Sequence, residues 1–340
     1  MTSTERTHAV LEGRRPDRLP VVPLFMVWAA QHGGHSYADY VTDYRVLVED
    51  QLRLWEEFGI DVLSCCSDAW REAADCGTLL VYDDEGPPRP REHLLANKRP
   101  VTDLPRPDPL GGGRMTDRVR AVELFRKRGE GRVPILGWIE GPISEAVNMR
   151  GMNQFMLDFV DDPSYARSVL QWTAELATDF ALAQVGAGAD LIGMGDAAAS
   201  LISPSLYCDF VLDLERDIIA TLEEAGALTR LHICGNTTGL LPYFASTCAA
   251  LIDLDHMVDL AAARRAIGSQ TTLLGNFDPV NVLLKASAED VYAACARCHA
   301  AAGEPYMLAA GCEVPPGTPE VNVRAVVRYA EDATRGGNSA

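Results

Sequence analysis

The chain has 340 residues, 47% of them apolar, and a formal net charge of −18 at pH 7. That length allows a large core in one domain or two ordinary ones. The acidic balance argues against nucleic acid or an anionic membrane as a partner, since both are negative themselves, and leaves small-molecule chemistry as the natural class.

The first residues, MTSTERTHAVLEGRRPDRLP, carry basic side chains but no apolar stretch of a signal peptide. No run reaches the roughly 18 apolar residues of a membrane helix. Nine cysteines without an export signal are expected to stay reduced in the cytoplasm, and an odd number fits a disulfide framework poorly.

From there short apolar runs alternate with longer amphipathic stretches. The runs are VVPLFMV (21–27), DVLSCCSD (61–68), VPILGWIEG (133–141), DLIGMGD (190–196), TRLHICGN (229–236), ALIDLDHM (250–257), TTLLGNFDP (271–279) and YMLAAGCEVP (306–315). Several carry polar residues only near their far ends, as strands buried on both faces do. Between them, 165–183 places Val169, Leu176, Phe180 and Ala183 at helical spacing behind a start at Asp161-Asp162-Pro163. Eight strand–helix repeats predict an α/β fold, a (β/α)8 TIM barrel; no G-x-G-x-x-G supports a doubly wound alternative. The gap after the second run predicts an insertion over 69–130. It holds a hairpin at 78–86, a proline-rich stretch from Pro87 to Pro109, GGG at 111–113 and a helix near 116–128. One barrel domain over 1–335 and a flexible tail at 336–340 complete the expected organisation.

In such barrels the site lies at the C-terminal ends of the strands, and polar groups gather there: Asp68, Glu140, Asp196, His232, Cys234, Asp253, Asp255, His256, Asn276, Asp278, Cys312 and Glu313. His232 and Cys234 are two apart on a strand and share a side. Cys312 ends the last strand at the same mouth. One imidazole and two thiolates suit Zn²⁺ and leave a coordination position open, as catalytic zinc sites do. The same spacing also fits two core cysteines and a histidine, and spacing alone leaves both readings open.

HICGN at 232–236, LDHMVDL at 254–260, GNFDP at 275–279 and GCEVPPGTP at 311–319, with GWIEGPISEA at 137–146 and SLISPSLYCDF at 200–210, together resemble the uroporphyrinogen decarboxylase superfamily. They look most like its zinc-dependent corrinoid methyltransferase branch. The resemblance covers nearly the whole chain. It implies a TIM barrel, zinc on His232, Cys234 and Cys312, and methyl transfer between a thiol and a cobalamin (corrinoid) carried by a separate protein. Chain length leaves no space for a corrinoid domain, and the family permits monomer or homodimer. The chain departs from true decarboxylases at MVWAAQHGGHS, where they carry an arginine-rich segment for the substrate carboxylates. Asp68 falls about where the decarboxylases place their key aspartate.

Further candidates follow. Asp68, Glu140 and Asp255 are candidates for acid–base work, Asp255 also for a fourth metal ligand. Trp28, His35, Asp196 and Asn276 are candidates for lining the substrate pocket. Structural capping or ion pairing is the competing account for each. Cys295-Ala-Arg-Cys298-His299 matches a haem-attachment pattern, but Val291, Ala294, Cys295, Cys298 and Ala302 fall on one apolar helical face, so core packing is preferred. The leading expectation is zinc-dependent methyl transfer to or from a thiol. The alternatives are demethylation of a methoxy, methylthio or methylamine donor, metal-free decarboxylation of a small acid, and a non-catalytic zinc protein.

Overall fold

The computed structural model describes residues 1–335; the tail expected over 336–340 lies outside them. The strands are β1 (Leu63–Ser64), β2 (Leu80–Val81), β3 (Arg89–Pro90), β4 (Ile135–Glu140), β5 (Leu191–Gly195), β6 (Leu228–Ile233), β7 (Leu251–Leu254), β8 (Thr272–Leu274) and β9 (Tyr306–Met307). Seven of them form one sheet in the order β1-β4-β5-β6-β7-β8-β9, every neighbouring pair parallel, with helices between successive strands. Parallel neighbours in chain order are the signature of a curled α/β sheet whose connecting helices cover its outer face.

The run expected as the first strand, 21–27, is not a ladder strand. Pro23 removes a donor from it and Pro20 another just before it, and a helix, Val27–Gly33, already begins where the run was expected to end. The segment nevertheless takes the first strand's place. Val22 N–H donates to Leu308 O at 2.9 Å, Leu308 N–H to Pro20 O at 2.9 Å and Asp61 N–H to Val21 O at 2.8 Å, which ties it to β9 on one side and to the approach to β1 on the other. The remaining runs fall on the other strands of this sheet but overshoot their ends, and the run at 229–236 starts one residue after β6 does. The last one is ladder only at Tyr306–Met307, followed by a single bridge between Phe277 and Ala310.

Between β1 and β4 the chain forms a helix (Arg71–Asp75), the antiparallel pair β2–β3 and a long helix (Arg114–Gly129). The hairpin's second strand falls at Arg89–Pro90, beyond the 78–86 expected, because the stretch Asp83-Asp84-Glu85-Gly86-Pro87-Pro88 serves as the turn. Helix Pro163–Gly186 starts as expected: Asp162 accepts the Tyr165 N–H at 3.1 Å, and Val169, Leu176 and Phe180 are buried against the sheet. In helix Ala288–Ala302, Cys295 is buried and Cys298 half-buried among core side chains. A helix not anticipated, Ser3–Leu11, opens the chain with a capping box between Thr2 and Glu5, a signal present in the sequence TSTE. Among the described residues no helix is long and apolar enough to cross a membrane.

Alternate strand residues turn inward. Val22, Val62, Leu136, Leu191, Leu251 and Met307 belong to an apolar plug distinct from the larger core between strands and helices. One layer of this interior is unusual. Trp138 of β4 is registered with Gly193 of β5, which is registered with Arg230 of β6. A Cβ at Gly193 would lie 2.2 Å from the Trp138 ring and one at Gly195 3.1 Å from it, so the two glycines give the indole its room. The guanidinium of Arg230 sits over that ring, 5.8 Å from its centroid. Replacing Gly193 with alanine should overpack this layer and cost about 1–3 kcal/mol. Urea unfolding should show a lower midpoint at unchanged slope; an unchanged midpoint would mean the indole moves freely.

Candidate metal centre

β6 carries His232 near its end, and Cys234 follows one residue past it. After Cys234 the backbone turns through Gly235, whose φ of +88° is a left-handed conformation that glycine adopts without strain. The Gly235 N–H donates to Asp255 Oδ2 at 2.9 Å, which pins the turn to the loop after β7. Cys312 arrives beyond β9 behind Gly311. Gly311 donates to Phe277 O at 2.9 Å, and a Cβ there would lie 2.3 Å from the backbone nitrogen of His256. Only glycine lets the two loops approach this closely.

The outcome is a tight triad. His232 Nε2 is 2.9 Å from Cys234 Sγ, Cys234 Sγ is 3.4 Å from Cys312 Sγ, and Cys312 Sγ is 3.7 Å from His232 Nε2. A tetrahedral zinc with bonds of about 2.3 Å to sulfur and about 2.0–2.1 Å to nitrogen separates its ligand atoms by about 3.5–3.8 Å. Two of the three edges are close to that, and the third needs a small opening. Among the described residues this is the single group of three or more His, Cys, Asp or Glu side chains close enough to share a metal.

Behind the triad stands a row of buried charges. Arg230 donates through Nε at 3.0 Å and Nη2 at 2.6 Å to Asp253 Oδ2, which also lies 3.0 Å from His232 Nδ1. The histidine's far nitrogen is thus committed to a carboxylate, and Nε2 is the one presented to the thiols. A carboxylate behind a ligating imidazole is the usual way a metal site fixes ring orientation. Burial would lower the basicity of His232, but Asp253 and Cys234 more than reverse it and hold it well above an ordinary histidine. Of the two thiols, Cys312 is the one held as thiolate, down to about 4, by the hydrogen bond from Cys234 and, against burial, by the His232 imidazole. A soft, partly ionised donor set with one imidazole fits zinc.

The profile of the uroporphyrinogen decarboxylase (URO-D) family matches residues 2–333. The chain belongs to that family. A methylcobamide:CoM methyltransferase MtbA of Methanosarcina mazei is 28% identical over 97% of this chain and 98% of its own. A uroporphyrinogen decarboxylase of Thioalkalivibrio sulfidiphilus is 30% identical over 76% of this chain and 75% of its own. The solved structure of a methyltransferase from Methanosarcina mazei superposes with a TM-score of 0.87 at 23% identity, covering 98% of this chain and 99% of that one, and confirms the family's barrel. Identity to relatives of both kinds is similar, so the site has to distinguish them.

Each of the remaining candidates has definite partners. Asp255 is outside the triad; its oxygens take the N–H groups of Gly235 and Met257, and His256 Nδ1 lies 2.9 Å away. Asn276 donates to the backbone oxygens of Asp255 and Val258 at 2.9 and 2.7 Å. These two residues hold the ligand loops in place. Asp68 is buried, accepts from Ser67 and Trp70 and pairs with Arg114 at 2.6 Å; Glu140 accepts from the buried Arg71 at 3.0 Å. Asp196 accepts the Ser144 N–H at 2.7 Å. Trp28 stacks between Phe25 and His32 and donates to Thr318 O, while His35 pairs with Asp50 at 2.9 Å.

Arg230 was not singled out from sequence, nor were Arg71 and Glu72, and Asp253 was named only among the polar groups at the strand ends, without a role. The signal was available: an ionisable residue at an inward position of an otherwise apolar strand run needs a buried partner, and Arg230 and Asp253 occupy such positions on neighbouring strands. Asp253→Asn should hold zinc about 10–100-fold more weakly than the native chain, measured by competition with a chromophoric chelator. Equal affinity in the two proteins would show that Asp253 serves the fold alone.

Proposed function

We propose that the chain moves a methyl group between a corrinoid carried by a separate protein and a thiol, with zinc held by His232, Cys234 and Cys312. The observation that carries this reading is the convergence of one imidazole nitrogen and two thiol sulfurs, from strands three apart in the ring, with Cys312 inclined to the thiolate that a metal requires. Zinc bound there would supply Lewis acidity, lowering the pKa of an incoming thiol so that it is a nucleophile at neutral pH.

The protein's own groups supply orientation and a dry setting. Arg230 and Asp253 keep the His232 ring turned toward the thiols, and Asp255 holds the Cys234 turn against the loop after β7, which Asn276 pins in turn. Glu313 follows Cys312 directly and anchors the opposite side of the mouth by accepting the Val27 N–H at 3.0 Å. In the forward direction the thiolate sulfur gains the methyl carbon, the cobalt–carbon bond breaks, and its electron pair stays on cobalt; the thiol proton leaves to solvent. A nearly matched barrel mouth run in reverse would load the corrinoid instead, which is the second direction the donor set permits. The relative named methylcobamide:CoM methyltransferase supports the thiol and corrinoid classes. The nine free cysteines fit a reducing, cytoplasmic setting.

Decarboxylation of a polycarboxylate is the poorer reading. Arg71 is buried and pairs with Glu140, Arg114 is half-buried and pairs with Asp68, and helix Val27–Gly33 carries no arginine for substrate carboxylates.

Purified protein should contain about one zinc per chain, lost in His232→Ala and Cys312→Ser. The native protein should form a thioether from methylcobalamin and an added thiol, and chelation should stop the reaction until zinc is restored. Metal-free native protein that cannot be reloaded, or full activity in both variants, would remove the proposal.

A further inference from the structure

Exposed apolar side chains are not spread evenly over this barrel. Apart from Met1 and Leu182, every large one among the described residues lies on a strand-to-helix connection or in the first turn of the helix that follows, at the end of the sheet where the triad stands. Helix Met152–Asp161, on the connection after β4, buries Phe155 and Phe159 on one side. On the other it exposes Leu157 at 60% and Val160 at 78%, where a surface helix ordinarily carries charge. Leu201 after β5 is 61% exposed and Met257 after β7 55%.

These positions are joined to one another and to the triad. Phe159 packs edge-on against Phe210 of the next connection, ring centroids 5.0 Å apart. A Cβ on Gly235, which follows Cys234, would lie 3.2 Å from Ser200 Oγ, and Leu201 follows Ser200. Met257 follows His256, whose backbone nitrogen closes on Gly311 beside Cys312. His256 Nε2 lies 3.7 Å from Asp278 Oδ2, which brings in the exposed Val280 on the connection after β8. An apolar rim therefore follows one arc of the mouth and borders both cysteine turns.

The charge along this arc is nearly all of one sign. On the connections after β4 through β9, Lys285 is the one exposed lysine or arginine among the described residues; Arg150 is buried against Asp158. Asp161, Asp209 and Asp259 are exposed there, and Asp278 and Glu313 are half-buried. The connection after β1 is apolar too, at Leu79 and Leu110, but mixes both signs. An exposed apolar surface edged with charge marks a protein contact. Two copies of such an acidic face would repel each other, and a nucleic acid or an anionic membrane would be repelled as well.

We infer that this rim is the docking face for the protein that carries the corrinoid, and that the carrier presents an apolar contact surface bordered by lysine and arginine. The inference rests on the methyl-transfer reading, in which a methyl group held on another protein has to reach the triad from this end of the barrel. Apolar contact keeps water from the triad while the methyl group moves. The acidic side chains steer a basic partner and select against a second copy of this chain.

The test compares two methyl donors for zinc-loaded full-length protein, with an added thiol that free methylcobalamin methylates. One donor is free methylcobalamin. The other is the methylated corrinoid protein isolated from the cells that make this chain and recognised by its methyl-Co(III) absorption. Val160→Asp and Leu201→Asp should each raise KM for the protein-borne donor about tenfold and leave kcat/KM for free methylcobalamin unchanged. Asp161→Lys combined with Asp209→Lys should raise that KM too, as should added salt with the native protein, and both should spare the free donor. Equal loss with the two donors would assign Val160 and Leu201 to the fold or to the site. No loss with either, or a carrier that methylates no thiol, would place docking elsewhere. A KM indifferent to salt and to the lysine pair would overturn the basic partner. Each of these results leaves methyl transfer standing. If no thiol is methylated from either donor, the functional reading fails and this inference fails with it.

Discussion

Arg230, Asp253 and His232 form a row of ionisable side chains inside a barrel whose other inward positions are mostly apolar. Isolated buried charges are costly, and such a row persists because each member satisfies the next. Strand register makes the row possible: Gly195 of β5 stands beside His232 of β6, which stands beside Asp253 of β7. A slip of one residue between β6 and β7 would turn Asp253 to the outer face and leave Arg230 and His232 buried without it. The row in turn constrains its neighbours. Arg230 needs a surface on its free side and finds the Trp138 ring, and the indole needs the missing side chains of Gly193 and Gly195. A run that reads DLIGMGD is therefore not a weak strand. Its glycines are the negative image of a tryptophan one strand away.

From that foundation the triad of His232, Cys234 and Cys312 is assembled by loops, not ladders. His232 lies within β6, but both cysteines lie past the ends of their strands, where backbone pairing no longer fixes position. Other contacts take over: the Asp255 carboxylate on Gly235, the Asn276 amide on the Asp255 carbonyl, and the close backbone approach at Gly311. Asp255 and Asn276 thus act at one remove. Ligating groups and groups that hold the ligands sit in the same sequence motifs, which is why the motifs alone do not separate the two roles.

The sequence made the barrel and the triad legible for different reasons. Repeated alternation of apolar runs with amphipathic stretches is a property of the whole chain, so errors at single boundaries did not disturb it. The run at 21–27 shows the limit. Its apolar pattern is that of a strand, yet Pro20 and Pro23 allow it to close the ring only through scattered hydrogen bonds. His232 and Cys234 were visible because two residues apart on a strand is local geometry. Cys312 was legible as a partner because barrel topology returns the last strand to the same mouth. The Arg71 cluster was not. Its members come from the helix after β1 and the end of β4, and nothing in local spacing says that two carboxyls will share one guanidinium.

That cluster also bears on how one barrel serves two chemistries within the family. Decarboxylation of a polycarboxylate calls for free cations at the mouth, whereas methyl transfer to a thiol calls for a metal and a pocket for whatever the thiol carries. Here the cations present are already engaged, Arg114 by Asp68 and Arg71 by Glu140. The triad of His232, Cys234 and Cys312, close enough to share a metal, stands at the ends of β6 and β9. Changing the reaction on this scaffold requires no change of strand order or core. It requires a different charge balance at a few loop and helix-start positions, and these carry little of the packing energy that holds the barrel together.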